Sequence, residues 1–176
     1  MFKYLILLLS SLFSLSAMAS PDPAALFQTI SQRLSYMEDV GLYKANHHLP
    51  IEDISREEVV LKKAVQSARK AGLNGNTVAA FFQSQIAAAK AIQYRYRADL
   101  LNQPAQRQPR DLKKVIRPAL IQLGNSINTE MKQYLDQNGS FTDKEWAEFQ
   151  KTVTNPYLSA ADKKALYQAL SQIKIN

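Results

Sequence analysis

Apolar residues in this chain recur every three or four positions and nowhere alternate with polar ones over a strand's length. That spacing puts them on one face of an α-helix, whereas a half-buried strand would need a period of two. The sequence therefore predicts an all-α fold of about six helices in a single domain, and 176 residues suffice to bury a real core. The first helix spans 24–47 and aligns Leu26, Ile30, Leu34, Met37 and Val40. The others span 55–71, 77–101, 116–137, 143–154 and 160–174.

Local chemistry sets these limits. Ser55 with Glu58 reads as a capping box opening the second helix, and Gly72 suits the position just past its end. Asn74-Gly75-Asn76 turns the chain into a third helix of about 25 residues, long by globular standards. The stretch 102–111 has two prolines and little to bury, so it reads as a linker within the domain. Pro118 is tolerated only in a first turn, which places the start of the fourth helix near Ile116. Asn138-Gly139 turns the chain again, and Thr142 with Glu145 caps a short helix that Asn155-Pro156 ends. The last helix starts after Ser159.

The N-terminus has a different logic. Lys3 precedes an apolar run of about ten residues, too short to span a bilayer, and Ala17-Met18-Ala19 has the small–large–small pattern of a signal-peptidase site. Residues 1–19 are expected to be a cleaved signal peptide and 20–176 the mature domain. That makes the product periplasmic or secreted, with no membrane attachment after cleavage. The chain has no cysteine, so its stability must come from helix packing, and thiol chemistry is excluded.

The formal charge of +7 favours an anionic ligand. Nucleic acid is not the expected partner, because aromatics are not interleaved with a basic stripe and export separates the protein from the genome. The pairs Lys62-Lys63, Lys113-Lys114 and Lys163-Lys164 read as solvated faces. Adjacent His47 and His48, without a third ligand at a recognisable spacing, do not make a metal site. Neither a glycine-rich phosphate cradle nor a Ser-His-Asp arrangement is present.

One spaced set of polar residues points to chemistry. Arg33 and Lys44 are eleven residues apart, about three helical turns, so their side chains leave the same face ~16 Å apart along the axis. Two long cations at that separation can converge on a ligand with separated negative groups. Asp53 and Arg56 follow around the start of the second helix, where an arginine is slightly disfavoured by the helix dipole and invites a functional reason. On the third helix Gln85, Ala89 and Gln93 stand at i, i+4 and i+8, which brings Gln93 beside the apolar stripe.

The pattern Arg33, Lys44, Asp53, Arg56, then Gln93, within the wording SQRL, YKANHHLPIEDISRE and FFQSQIAAAKAIQ, resembles the all-helical chorismate mutases, most closely their exported subclass. The likeness spans residues 24–101 and, more loosely, 112–135. It implies the long-helix bundle of that family and a cofactor-free, metal-free isomerase that rearranges chorismate to prephenate. Exported members are often dimers, which leaves a homodimer open. Two positions depart from the subclass: Val60, where a glutamine is frequent, and Ala89, where serine or threonine is common. Both changes bear on affinity more than on reaction type.

By that resemblance, Arg33 and Arg56 hold the substrate's carboxylates together with Arg117, the arginine at the start of the following helix. Planar guanidinium groups suit bidentate contact. Lys44 and Gln93 donate to the ether oxygen, while Asp53, through its backbone, and Glu57 meet the ring hydroxyl. Two rivals share some of these residues: an isochorismate pyruvate lyase on the same scaffold, and a non-catalytic exported helical module that binds an anion or a partner. The second would keep the arginines without needing Lys44 and Gln93 together.

Overall fold

The computed structural model describes residues 22–176, so the expected signal peptide lies outside the described residues. The chain forms helices α1 (Ala24–Ser35), α2 (Met37–Asn46), α3 (Ile54–Lys70), α4 (Gly75–Asp99), α5 (Arg117–Asn138), α6 (Trp146–Thr152) and α7 (Ala160–Ser171). A π-turn at Leu112–Ile116 leads into α5, and a 3-10 turn at Asp143–Glu145 leads into α6. No strand occurs among the described residues. An isolated bridge joins Leu73 and Ile175.

The helical period of the sequence becomes the core. Leu26, Ile30, Leu34, Met37 and Val40 are all buried, and so are Val78, Phe82 and Ile92 on α4. Long α4 is the central element, packed against α2, α3 and α7, while α5 lies across α1 and α3. Phe27 meets Phe149 edge to face, with ring centroids 5.1 Å apart, which ties α1 to α6.

Several boundaries differ from the sequence reading, each for a local reason. The helix expected over 24–47 is interrupted at Tyr36, where Ser35 Oγ donates back to Gln32 O (2.8 Å), a bond of the kind that loosens a helix. Asp53, rather than Ser55, caps α3: its carboxylate accepts the backbone N–H of Arg56 at 3.1 Å. Asn74 caps α4 by accepting from the N–H groups of Asn76 and Thr77, so that helix starts at Gly75 and not at Thr77. Gly72 does sit just beyond α3, with φ +87°, a conformation that favours glycine.

The start of α5 is set by Pro118. Proline has no N–H to donate, and its ring crowds the carbonyl four residues back. Widening the preceding turn to a π-turn, with Ile116 N donating to Asp111 O at 3.0 Å, opens that spacing and lets α5 begin at Arg117. Thr142 and Glu145 form the expected reciprocal cap, and Ser159 forms another with Asp162. Helix α7 stops at Ser171 rather than 174, because the last residues turn back on the α3–α4 connection. There Asn74 N donates to Lys174 O (2.8 Å) and Asn176 N to Gly72 O (3.0 Å).

The 102–111 segment is better anchored than its composition suggests. Arg107 and Arg110 both donate to the buried carboxylate of Asp39 on α2, and Arg110 lies over the Tyr36 ring, 4.2 Å from its centroid. The connection between α4 and α5 is thereby pinned across the α1–α2 junction.

Candidate active site

A pocket of about 160 Å³ opens where α1, α2, α3, α4 and α5 meet. It has room for a small ligand rather than a polymer. All seven residues singled out from the sequence line it: Arg33, Lys44, Asp53, Arg56, Glu57, Gln93 and Arg117. The apolar wall comes from Met37, Val40, Ile51, Phe82, Ile86, Leu112 and Leu120, so the polar groups converge in surroundings of low dielectric.

Each polar group is delivered by a specific local feature. Arg33, in the last turn of α1, is only 5% exposed; its Nη1 donates to Gln85 Oε1 at 2.9 Å, and its guanidinium lies 5.8 Å from the Phe82 ring centroid. Lys44, in the last turn of α2, donates from Nζ to the carbonyl of Ile51, so the segment leaving α2 holds its ammonium in place. The cap at Asp53 fixes the first turn of α3, from which Arg56 and Glu57 project. Arg117 arrives through the π-turn, as the first residue of α5.

Gln93 is 4% exposed, and its Nε2 donates to Ala89 O one turn earlier, at 3.1 Å. The amide's second N–H points to Met37 Sδ at 3.7 Å, a weak acceptor that an oxygen atom can displace. Ala89 and Val60 both line the pocket and extend its apolar wall.

The charge balance is lopsided. Arg33, Lys44, Arg56, Lys63, Lys90 and Arg117 face two lining carboxylates, Asp53 and Glu57. Lys90 pairs with Glu57 (3.2 Å) and with Glu52 at the rim (3.5 Å). Among the described residues no carboxylate stands at salt-bridging distance from the other five cations.

The titration behaviour follows from this crowding. Burial pushes Lys44 below the usual lysine value; Asp53 and Glu57 pull it back, while Arg117 and Lys90 add to the depression. Burial alone lowers Arg33 to about 10. Arg56 is lowered by burial and then by Arg117, against Asp53. Like charges held close in an apolar pocket are unfavourable until an anion enters, so the pocket favours an anionic ligand.

The sequence reading missed Lys63 and Lys90 as lining groups. Lys63 stands seven residues, about two turns, after Arg56 on the same helix face, and Lys90 one turn before Gln93, so helical spacing could have found both. His47 and His48 are not among the lining residues; His47 stacks on Tyr43 with ring centroids 4.0 Å apart.

Comparison with known proteins gives a consistent picture. The family model for chorismate mutase type II matches residues 24–94. A monofunctional chorismate mutase from Enterobacter agglomerans is 37% identical over 180 residues, covering 99% of this chain and 98% of the relative. A secreted chorismate mutase from Yersinia pestis is 37% identical over 171 residues, 97% of this chain and 91% of the relative. The crystal structure of the secreted chorismate mutase from Yersinia pestis superposes with a TM-score of 0.80 at 39% identity, covering 86% of this chain and 97% of that one.

Proposed function

The chain belongs to the chorismate mutase family, and from that premise we propose that its cationic pocket binds chorismate and rearranges it to prephenate. The reaction is unimolecular: the ether carbon–oxygen bond breaks as a carbon–carbon bond forms, and no proton or nucleophile is consumed. Two contributions remain for the protein. It can hold the flexible dicarboxylate in its reactive chair-like conformer, and it can stabilise the negative charge growing on the ether oxygen.

The pocket supplies groups for both. Arg33, Arg56 and Arg117 grip the two carboxylates and fix the conformer. Lys44 and Gln93 donate to the ether oxygen, so their bonds strengthen as charge develops, the condition for lowering the barrier rather than only tightening ground-state binding. Asp53, through its backbone, and Glu57 take the ring hydroxyl.

The observation that carries this reading is the set of five pocket cations that have no carboxylate partner among the described residues, beside an amide whose second N–H meets a thioether. The test is the loss of chorismate absorbance with purified protein, with prephenate identified as product. Isochorismate serves as the control; conversion of isochorismate to pyruvate and salicylate in place of chorismate turnover would overturn the assignment.

Export is proposed on the Ala17-Met18-Ala19 site together with relatives named secreted. N-terminal sequencing of the mature protein should begin at Ser20. The homodimer left open by the family resemblance is tested by light scattering.

A further inference from the structure

We propose that Gln85 is a positioning residue whose neutral amide anchors the Arg33 guanidinium at the pocket wall while leaving its positive charge unneutralised for an anionic ligand. The inference rests on the reading of this pocket as the chorismate site. Gln85 is fully buried on α4, and its Oε1 accepts from Arg33 Nη1 at 2.9 Å, a contact between α1 and α4. Arg33 in turn lies against Phe82, which lines the same pocket. No carboxylate among the described residues reaches Arg33.

Consider what else could occupy position 85. Methionine or leucine would fill the space with no polar group to satisfy, but would leave Arg33 unanchored. Glutamate would hold the guanidinium more strongly, through charge-assisted bonds, yet would cancel the charge the pocket needs. Of these residues, glutamine holds without neutralising. It does so at a cost, because Gln85 Nε2 is buried without a hydrogen-bond partner among the described residues. An apolar residue of the same shape would avoid that penalty but would strip the buried Arg33 Nη1 of its acceptor, so the amide at this position is tied to the guanidinium it holds. Arg33 is buried enough for its pKa to fall to about 10, which still leaves it charged at neutral pH.

Two variants test the assignment. Gln85→Glu should fold normally and raise KM for chorismate at least tenfold, with a smaller change in kcat, because the new carboxylate competes for Arg33. Gln85→Met, which removes the unbonded amide but also takes the acceptor from the buried Arg33 Nη1, should melt below the wild type and raise KM severalfold. A wild-type KM in both variants would overturn the proposal, and so would a fall in melting temperature with KM unmoved, the mark of a purely packing role. A second readout does not depend on turnover: malate, a simple dicarboxylate, should raise the melting temperature of the wild type and not that of Gln85→Glu. If the wild type leaves chorismate unconverted, the functional reading falls, while the malate comparison still decides what Gln85 does.

Discussion

Replacing Lys44 with methionine removes the ammonium and keeps most of the aliphatic stem, which separates charge from packing. In the structure Nζ spends one N–H on the carbonyl of Ile51, and a lysine ammonium has three. In the proposed mechanism the remaining donors serve the ether oxygen. Loss of one preorganised donor of this kind typically costs about 10²- to 10³-fold in kcat, or ~2.7–4 kcal/mol. The stability cost should be far smaller: one hydrogen bond to a half-buried carbonyl contributes ~1 kcal/mol, a fall in Tm of roughly 2–4 °C for a chain of this size. Relief of repulsion from Arg117 and Lys90 offsets part of that. Steady-state assays of chorismate loss, with circular dichroism to verify the fold, measure both quantities. The wild type adds a pH signature. On the proposed role of Lys44 catalysis needs the protonated ammonium, and its pKa is depressed, so kcat/KM should fall as pH rises, with an alkaline limb below that of an ordinary lysine. A folded Lys44→Met enzyme with kcat within threefold of wild type would remove Lys44 from the mechanism.

Three further outcomes are expected. Gln93→Glu should move the optimum to lower pH, since an amide donates at any pH and a carboxyl only when protonated; an unchanged pH–rate profile would argue against contact between this side chain and the ether oxygen. Asp39→Asn should lower stability by about 1–3 kcal/mol in urea titrations, a modest figure because Arg107 and Arg110 are half-exposed. Burial alone would raise Asp39, but bonds and charges from the two arginines hold it below its ordinary value. The contribution is therefore complete above the unfolded carboxyl's range and fades as pH falls through the folded pKa, so the gap between variant and wild type should close in acid. Phe27→Ala, which empties a fully buried site against Phe149, should cost ~3–5 kcal/mol with little effect on KM, checked by the same titrations and assays.

How much of this was legible in the sequence depends on the range of each interaction. The stripe from Leu26 to Val40 and the eleven-residue step from Arg33 to Lys44 are periodic signals, and these residues pack and converge as the period implies even across the break at Tyr36. The pocket's second half follows from the cap that starts α3, although the capping residue is Asp53 and not Ser55. Contacts between residues distant in sequence left no local trace. Nothing near Asp39 announces that Arg107 and Arg110 will close on it, and nothing near Gly72 announces the return of Lys174 and Asn176. Gln85 could be placed on a helix face but not against Arg33, because that pairing exists only once the bundle has brought the end of α1 within side-chain reach of α4.

The most direct test is a crystal structure with a non-reactive bicyclic dicarboxylate shaped like rearranging chorismate. Density for that ligand should lie between α2 and α4, its carboxylates on Arg33, Arg56 and Arg117 and its ether oxygen within hydrogen-bond reach of Lys44 Nζ and Gln93 Nε2. A ligand bound elsewhere, or seated in the pocket with Lys44 and Gln93 both turned away from the ether oxygen, would contradict the mechanism.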